Sequence, residues 1–289
     1  MEERTTRQRD PFSRVTIDCP EGPLSVIAEG RTGPPVLLLS GAGQDNAMLS
    51  WRHLIPFLAQ DHRVIALDWP KQGNSKPWNG TADHPVMLDV ITRALDHFGL
   101  ERVAIVGMSQ GGALTLAYAI DHPDRVERIV AIAPGGIISF PPVVHQLLWM
   151  AARSRFLNTT VPSWMFRGRK QVARFLRGAL FAGPVEDFEE IVDEVLDEMR
   201  TGTSTSDWQS TSIGFWRMKV DLRPRLGEIT CPTLFIQGDK DVGVRPHHTI
   251  AAANRVPRAR LEMLKGHGHW PNRQSPERVN TLIRDFLRD

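Results

Sequence analysis

The chain has 289 residues, a length suited to one large domain that carries an insertion. It contains 35 lysines and arginines against 33 acidic residues, and the net charge of +2 gives no sign of binding to nucleic acid or to a membrane surface. The two cysteines, Cys19 and Cys231, lie far apart without metal-ligand spacing, so neither a disulfide framework nor a zinc site is expected.

The cellular compartment is predicted from features that the chain lacks. Residues 1–10 are mostly charged or polar and lack the apolar stretch of a secretory signal peptide. No apolar run reaches the roughly eighteen residues that are needed to span a bilayer. The sequence therefore predicts a soluble, cytoplasmic protein.

The first predicted elements are an edge hairpin and two buried strands. Apolar and polar residues alternate on either side of Pro20–Pro23, a pattern typical of an antiparallel hairpin. Two later runs are continuously apolar, as in parallel strands that are covered on both faces. The elements are a hairpin at 15–19 and 24–28, a strand at 35–40, a helix at 49–59 and a strand at 63–68.

Helices and strands then alternate. The predicted elements are a helix at 83–99, a strand at 102–107, a helix that ends near residue 121, and a strand at 128–133. This alternation predicts right-handed crossovers and an α/β fold, with a mostly parallel central sheet and helices on both faces.

The alternation is interrupted between residues 137 and 228. Helical patterns there cover 143–153, 169–181 and 185–199, without a convincing buried strand. We therefore predict a core of residues 1–136 and 229–289, and a helical cap insertion at 137–228 that lies over the sheet. Its four tryptophans either pack against the core or line a substrate pocket. They are Trp149, Trp164, Trp208 and Trp216.

The alternation resumes after the insertion. The predicted elements are a strand at 232–238, a helix near 247–253, a strand at 259–264 and an amphipathic helix at 276–287.

A serine flanked by glycines stands between a predicted strand and a predicted helix. Residues 107–111 read Gly-Met-Ser-Gln-Gly, the G-x-S-x-G pattern of a nucleophile elbow. In such a turn Ser109 takes a strained backbone conformation that lifts its hydroxyl off the sheet, and larger neighbours than glycine would collide. The N–H of Gln110 then lies at a helix N-terminus and faces the reacting oxygen. Considered alone, the pentapeptide also fits a plain glycine-rich turn.

Two later loops supply a carboxylate and an imidazole. Asp239 and Asp241 follow the next predicted strand, and His267 and His269 follow the last one. Because parallel strands end at one edge of a sheet, these side chains are expected at the same edge as Ser109. Each loop offers two candidates for its role.

The order Ser, Asp, His, together with these three loops, resembles the α/β-hydrolase superfamily, and in particular its serine-nucleophile members with a helical cap. The matching segments, which span nearly the whole chain, are Gly107–Gly111, Gly238–Asp241, Gly268–His269 with Pro276–Glu277, and Asp68–Pro70 with Gly73–Ser75. The family spacing implies Asp241 rather than Asp239 as the acid, and His269 rather than His267 as the base. Asp239 then reads as a turn former.

The resemblance implies a stepwise mechanism. His269 would take the proton of Ser109 as the serine attacks a carbonyl carbon, and Asp241 would orient the imidazole. A covalent acyl-enzyme follows. Serine in this position favours acyl chemistry, whereas family members that open epoxides or displace halide carry aspartate there.

The resemblance also implies an oxyanion hole. Its two donors would be the backbone N–H groups of Gln110 and, by position in the family pattern, Ala42. The sequence departs from the pattern before Ala42, where relatives usually have His-Gly and this chain has Ser40-Gly41. Because the donor is a backbone group, the missing histidine does not remove it.

The first functional hypothesis is a carboxylesterase-like serine hydrolase that cleaves a small, largely apolar ester or lactone through an acyl-enzyme on Ser109. The residues expected to line its pocket are Gly41, Met108, Trp164 and Trp270. The mechanism requires neither a metal nor an organic cofactor, and the expected partner is the small-molecule substrate.

Two other interpretations stay open. A carbon–carbon bond hydrolase of a vinylogous diketone would use the same three residues, and a ligand-binding member of the fold would keep them without chemistry. No nucleic-acid or membrane partner is expected, and the sequence leaves the formation of a homo-oligomer open.

Overall fold

The computed structural model describes residues 11–154, 156, 168–201 and 206–289. Eight strands of this part form one sheet. They are β1 (Arg14–Cys19), β2 (Gly22–Glu29), β3 (Pro35–Leu39), β4 (Arg63–Leu67), β5 (Val103–Met108), β6 (Val126–Ile132), β7 (Thr233–Gly238) and β8 (Ala259–Leu264). Their order across the sheet is β1-β2-β4-β3-β5-β6-β7-β8. Strands β1 and β2 pair antiparallel with their neighbours, and all other pairs are parallel.

The α-helices of the described residues connect and cover these strands. They are α1 (Ala47–Trp51), α2 (Leu54–Leu58), α3 (His84–His97), α4 (Gln110–Asp121), α5 (Pro142–Arg153), α6 (Arg169–Phe175), α7 (Phe188–Thr201), α8 (Asp207–Ser212), α9 (Pro246–Ala253), α10 (Pro271–Gln274) and α11 (Pro276–Arg288). A π-helical turn (Leu176–Leu180) continues α6, and short 3₁₀ turns occupy Pro123–Arg125 and Leu226–Glu228.

The side chains of β3 alternate between the two faces of the sheet, as the geometry of a strand requires. Val36 and Leu38 pack in a cluster with α1, α2 and α11, whereas Leu37 and Leu39 pack in a second cluster with α3 and α4. All four are fully buried, and each buried leucine contributes about 2 kcal/mol to stability. Helices therefore cover both faces, and the prediction of an α/β fold with a mostly parallel sheet is confirmed.

The register of the sheet brings the strand ends together. Leu39 pairs with both Leu67 and Gly107, and Gly238 pairs with Leu264. The loops that follow β3, β4, β5, β7 and β8 therefore leave the sheet at one edge, where an open α/β sheet binds its ligands.

One predicted helix is wrong in its extent. The single helix expected at 49–59 is two short helices, α1 and α2, separated by Arg52 and His53. Pro56 explains the break, because proline has no N–H to donate to the carbonyl of Arg52 and its ring crowds that carbonyl. The hairpin at the sheet edge is confirmed, with Val15 opposite Val26.

In the part that the structure describes, the segment between β6 and β7 consists of helices joined by turns and loops. It contains α5 to α8, and its only β contact in that part is one isolated bridge between Ile213 and Met218. The division into a core and a cap stays a prediction. Among the described residues, no helix combines the length and the apolar character needed to cross a membrane.

Helix α7 is attached to the rest of the molecule through one acidic face. Glu194 pairs with Arg52, and Glu198 pairs with Lys76. Glu198 also accepts hydrogen bonds of 3.0 Å from the Asn46 side chain and from the Gly73 N–H. These pairs are partly buried, so solvent screens them less than exposed ion pairs. They hold α7 against the segments that follow β3 and β4.

We expect Gly111→Ala to destabilise the fold far more than Gly178→Ala. A Cβ atom on Gly111 would lie 2.1 Å from the backbone oxygen of Leu39, whereas a Cβ on Gly178 would have no neighbour within 4 Å. The expected loss of unfolding free energy for Gly111→Ala is about 3 kcal/mol. Urea unfolding measures it, and equal stability of the two variants would contradict this account of the turn.

Candidate active site

Ser109 has a left-handed backbone conformation, with φ 52° and ψ −111°. This conformation is strained for a residue with a side chain and persists only where the surroundings enforce it. The N–H of Ser109 donates to the Ile132 carbonyl (2.9 Å), and its carbonyl accepts from Gly135 (2.8 Å). A Cβ on Gly107 would lie 2.3 Å from the Gly111 oxygen. The sequence therefore folds into the strand–turn–helix elbow that the pattern predicts.

His269 connects the serine to a carboxylate. Its Nε2 lies 3.0 Å from Ser109 Oγ, and its Nδ1 lies 2.8 Å from Asp241 Oδ2. A carboxylate accepts the Nδ1 proton, so the lone pair of Nε2 is directed at the serine hydroxyl. The structure thus brings together the three residues that the sequence analysis selected.

The loop after β7 holds Asp241 in place. Its Oδ1 accepts from the N–H groups of Gly243 (2.7 Å) and Val244 (2.9 Å), and its Oδ2 accepts from Gln237 Nε2 (2.9 Å). Burial by itself raises the pKa of Asp241, but the hydrogen bond from His269, its charge and the other donors outweigh burial. The pKa lies below its ordinary value, so the group is a carboxylate at neutral pH.

The two competing residues have other partners. Asp239 Oδ1 accepts from the Gly266 N–H at 2.6 Å. His267 places Nδ1 2.9 Å from the Lys265 carbonyl and Nε2 2.8 Å from Ser275 Oγ. These contacts engage both side chains, so neither could reach Ser109 without losing them.

Two backbone N–H groups at this edge are unused within the described part of the chain. Neither Ala42 nor Gln110 donates its backbone N–H to an acceptor there, whereas the N–H of Gly41 donates to Asp45 at 2.6 Å. Gln110 is the first residue of α4, so its N–H also carries the positive end of the helix dipole. These are the two donors that the sequence analysis expected for an oxyanion.

A cavity of about 250 Å³ opens at Ser109 and His269. The loop after β3, the elbow, helices α6 to α8 and the histidine loop line it together. The lining residues are Gly41, Ala42, Gly43, Gln44, Asp45, Met108, Ser109, Phe175, Leu176, Leu180, Val195, Gln209, His269 and Trp270. Trp270 stacks on Phe181 with ring centroids 5.9 Å apart, and this contact holds the Trp270 ring in place.

Three of the four pocket residues expected from the sequence line this cavity, namely Gly41, Met108 and Trp270. Trp164 lies outside the described residues. The other insertion tryptophans pack elsewhere: Trp208 donates to His84 (2.9 Å), Trp149 meets Phe215 edge-on, and Trp216 is exposed.

Sequence reasoning missed Asp45, which is buried in the cavity wall. Burial raises the pKa of Asp45 to about 7, against hydrogen bonds from Ser50, Gly41 and Asn46 that lower it. The only available signal was a carboxylate three residues after Ala42, in a loop of small and polar residues. No lysine or arginine belongs to the described lining, so its fixed charge is zero or negative.

The cavity lining includes a carboxylate and an imidazole, which are residue types that bind metals. Among the described residues, no group of three or more His, Cys, Asp or Glu side chains has an arrangement that could hold a metal ion.

Comparison with known sequences identifies the family. A sequence model of the family described as alpha/beta hydrolase fold matches residues 34–276, which is most of the chain. The chain belongs to this family, and the resemblance stated from its motifs is confirmed.

Individual relatives agree with this assignment. A 2-hydroxy-6-oxo-6-phenylhexa-2,4-dienoate hydrolase of Comamonas testosteroni is 26% identical, over 100% of this chain and 99% of that protein. The enol-lactonase of Burkholderia xenovorans LB400 is 21% identical with a TM-score of 0.73, covering 93% of this chain and 97% of that one. The 2-hydroxy-6-oxo-6-phenylhexa-2,4-dienoate hydrolase of Rhodococcus sp. strain RHA1 is 22% identical with a TM-score of 0.74, covering 96% and 100%. The solved structures show a shared fold, and the family with its named relatives supports hydrolase activity.

Asp45→Asn is expected to change the pH dependence of stability. The folded-state pKa of Asp45 is raised from 3.8 to about 7, so its stabilising contribution is complete below pH 3.8 and is lost as pH rises towards 7. Asparagine does not titrate. The unfolding free energy of the variant relative to wild type should therefore rise by about 2 to 4 kcal/mol over this interval. Urea unfolding across the interval measures the difference, and a constant difference would contradict the assigned pKa.

Proposed function

We propose that this chain is a serine hydrolase in which Ser109 is the nucleophile. The observation that carries the proposal is the continuous hydrogen-bonded line from Asp241 through His269 to Ser109, which opens on a cavity. A strained serine held against an imidazole costs stability without serving any packing need, which favours a chemical role.

In the proposed mechanism, His269 accepts the Ser109 proton as the serine oxygen attacks a carbonyl carbon. Asp241 stabilises the imidazolium that forms, and the N–H groups of Ala42 and Gln110 bind the oxyanion. Each such donor contributes about 3 kcal/mol to stabilisation of the transition state. His269 then gives its proton to the leaving group, and water, activated by His269, releases the acyl group from the serine.

The cavity favours a small, neutral, largely apolar ester or lactone. Its volume of about 250 Å³ is small, below the 300 Å³ or more that is typical for drug-sized ligands. Leu176, Leu180, Val195 and Trp270 give it apolar walls. Because helices of the segment 137–228 supply most of these walls, we propose that this segment acts as a cap over the core.

A carbon–carbon bond hydrolase is the second candidate. The dienoate hydrolase of Comamonas testosteroni, which aligns with the entire chain, favours it. The same nucleophile and base would serve a ketone whose neighbouring carbon–carbon bond breaks. A dienoate carries a carboxylate, however, and the described lining includes no lysine or arginine to bind it, while the ionised form of Asp45 would repel it. Arg155 and Arg167 lie outside the described residues.

A fluorophosphonate probe is expected to label the wild type on Ser109, and Ser109→Ala should abolish labelling. The probe forms a covalent bond only with an activated serine. Peptide mass spectrometry locates the adduct. A folded wild-type protein that stays unlabelled would overturn the enzyme proposal in favour of a ligand-binding role.

His269→Ala and its neighbour variant His267→Ala form a matched pair. We expect His269→Ala to lower the labelling rate by at least about 10³-fold, because it removes the base. His267→Ala should stay within about tenfold of wild type, because it loses only contacts within its loop. The reverse ranking, measured on folded proteins, would show that the base is assigned to the wrong histidine.

A substrate panel separates the two candidate activities. We expect p-nitrophenyl esters of short acids and uncharged lactones to give kcat/KM values at least about 100-fold above those of 2-hydroxy-6-oxo-dienoates, because the described residues of the lining include no lysine or arginine. Initial rates with purified protein measure this. Faster turnover of the dienoates would establish the carbon–carbon bond hydrolase instead.

A further inference from the structure

The Asp45 carboxyl group binds two donors of the loop that follows β3 and one donor of helix α1. Its Oδ2 accepts from the Gly41 N–H (2.6 Å) and from Ser50 Oγ (2.6 Å), and its Oδ1 accepts from the Asn46 N–H (2.8 Å). The residue is 6% exposed. One side chain thus joins the start of the loop to helix α1.

Gly41 is in direct contact with this carboxyl group. A Cβ atom on Gly41 would lie 2.8 Å from Asp45 Oδ2 and 3.1 Å from Met108 Sδ. The hydrogen bond fixes the peptide group between Ser40 and Gly41. The close contact with the carboxyl oxygen restricts the torsions of Gly41, which set the direction of the next peptide. That peptide carries the N–H of Ala42.

The side chain of Ser40, which precedes Gly41, does not orient the peptide that carries the Ala42 N–H. The buried Ser40 hydroxyl has no hydrogen-bond partner among the described residues. The Ser40 carbonyl accepts from Trp69 Nε1 (2.9 Å) and from the Gly111 N–H (3.1 Å). These bonds fix the peptide group between Ser40 and Gly41, but they do not restrict the torsions of Gly41.

We propose that Asp45 is a positioning residue, which holds Gly41 so that the N–H of Ala42 faces the oxyanion formed on the substrate. The inference rests on the proposed function, since it names a residue that acts through the donor of that reaction. A carboxyl oxygen accepts the Gly41 N–H whether or not the group is ionised, so the role does not depend on its charge. It also gives a reason for burying a carboxyl group in the cavity wall at a cost in stability.

The test compares the rate of fluorophosphonate labelling, and kcat and KM for an ester that turns over, in Asp45→Ala and wild type. We expect Asp45→Ala to lower the labelling rate and kcat by about 10- to 100-fold, with KM within about threefold, because a displaced donor weakens only the transition state. A trifluoromethyl ketone, which forms a tetrahedral adduct on serine, should bind more weakly by the same factor.

Two variants serve as comparisons. Asp45→Asn keeps an oxygen that accepts from Gly41 and should recover at least about a tenth of the wild-type rate, even if Asp45→Ala does not fold. Ser40→Ala removes the unpaired hydroxyl of the same loop and should stay within about threefold of wild type.

The outcomes separate this inference from the function on which it rests. If the wild type is not labelled, both the proposed serine hydrolase and the positioning role of Asp45 are contradicted. A labelled wild type together with a folded Asp45→Ala of unchanged kcat, or with a loss confined to KM, overturns the role of Asp45 and leaves the serine hydrolase standing. A fall in melting temperature with unchanged labelling rate identifies a purely structural contact, which also overturns it.

Discussion

The geometry of the candidate active site depends on one hydrogen bond, from the Gly111 N–H to the Ser40 carbonyl (3.1 Å). This bond joins the turn after β5 to the loop after β3. It forms only because Gly111 has no Cβ, since that atom would lie 2.6 Å from the same carbonyl oxygen. Ser109 and the loop that carries Ala42 are therefore fixed against each other by backbone contacts. Parallel pairing of β3 with β5 supplies the register, and the backbone strain at Ser109 is held by the same contacts.

The other residues of the candidate site come from later segments of the chain that contact these two loops. Asp241 and His269 come from the far half of the sheet, and their short contacts require the ends of β7 and β8 to be level with β5. Helix α7 forms ion pairs with Arg52 and Lys76, in the segments that follow β3 and β4, and contributes Val195 to the cavity. In the proposed function, chemistry and substrate choice therefore have separate origins: the sheet edge would provide the reacting groups, and the helical segment would shape the space above them.

The positions of Ser109, Asp241 and His269 could be predicted from the sequence. The elbow requires glycine on both sides of the serine for steric reasons, and the order of the three loops can be seen in the sequence. Trp270 was also predictable from its place beside His269. Asp45 was not, because its burial and its bond to Gly41 result from tertiary packing. The acidic face of α7 is typical of a solvated helix, yet Glu194 and Glu198 face basic residues of the core. Such pairing between distant segments leaves no periodic signal.

In the proposed reaction, Ser109 attacks a carbonyl whose oxygen then binds to the N–H groups of Ala42 and Gln110. A crystal structure of the trifluoromethyl ketone adduct would reveal both contacts. We expect a covalent bond from Ser109 Oγ to the ketone carbon, and an oxyanion about 2.7–3.1 Å from both nitrogens. An adduct on another residue, or an oxygen that points away from these two N–H groups, would contradict it.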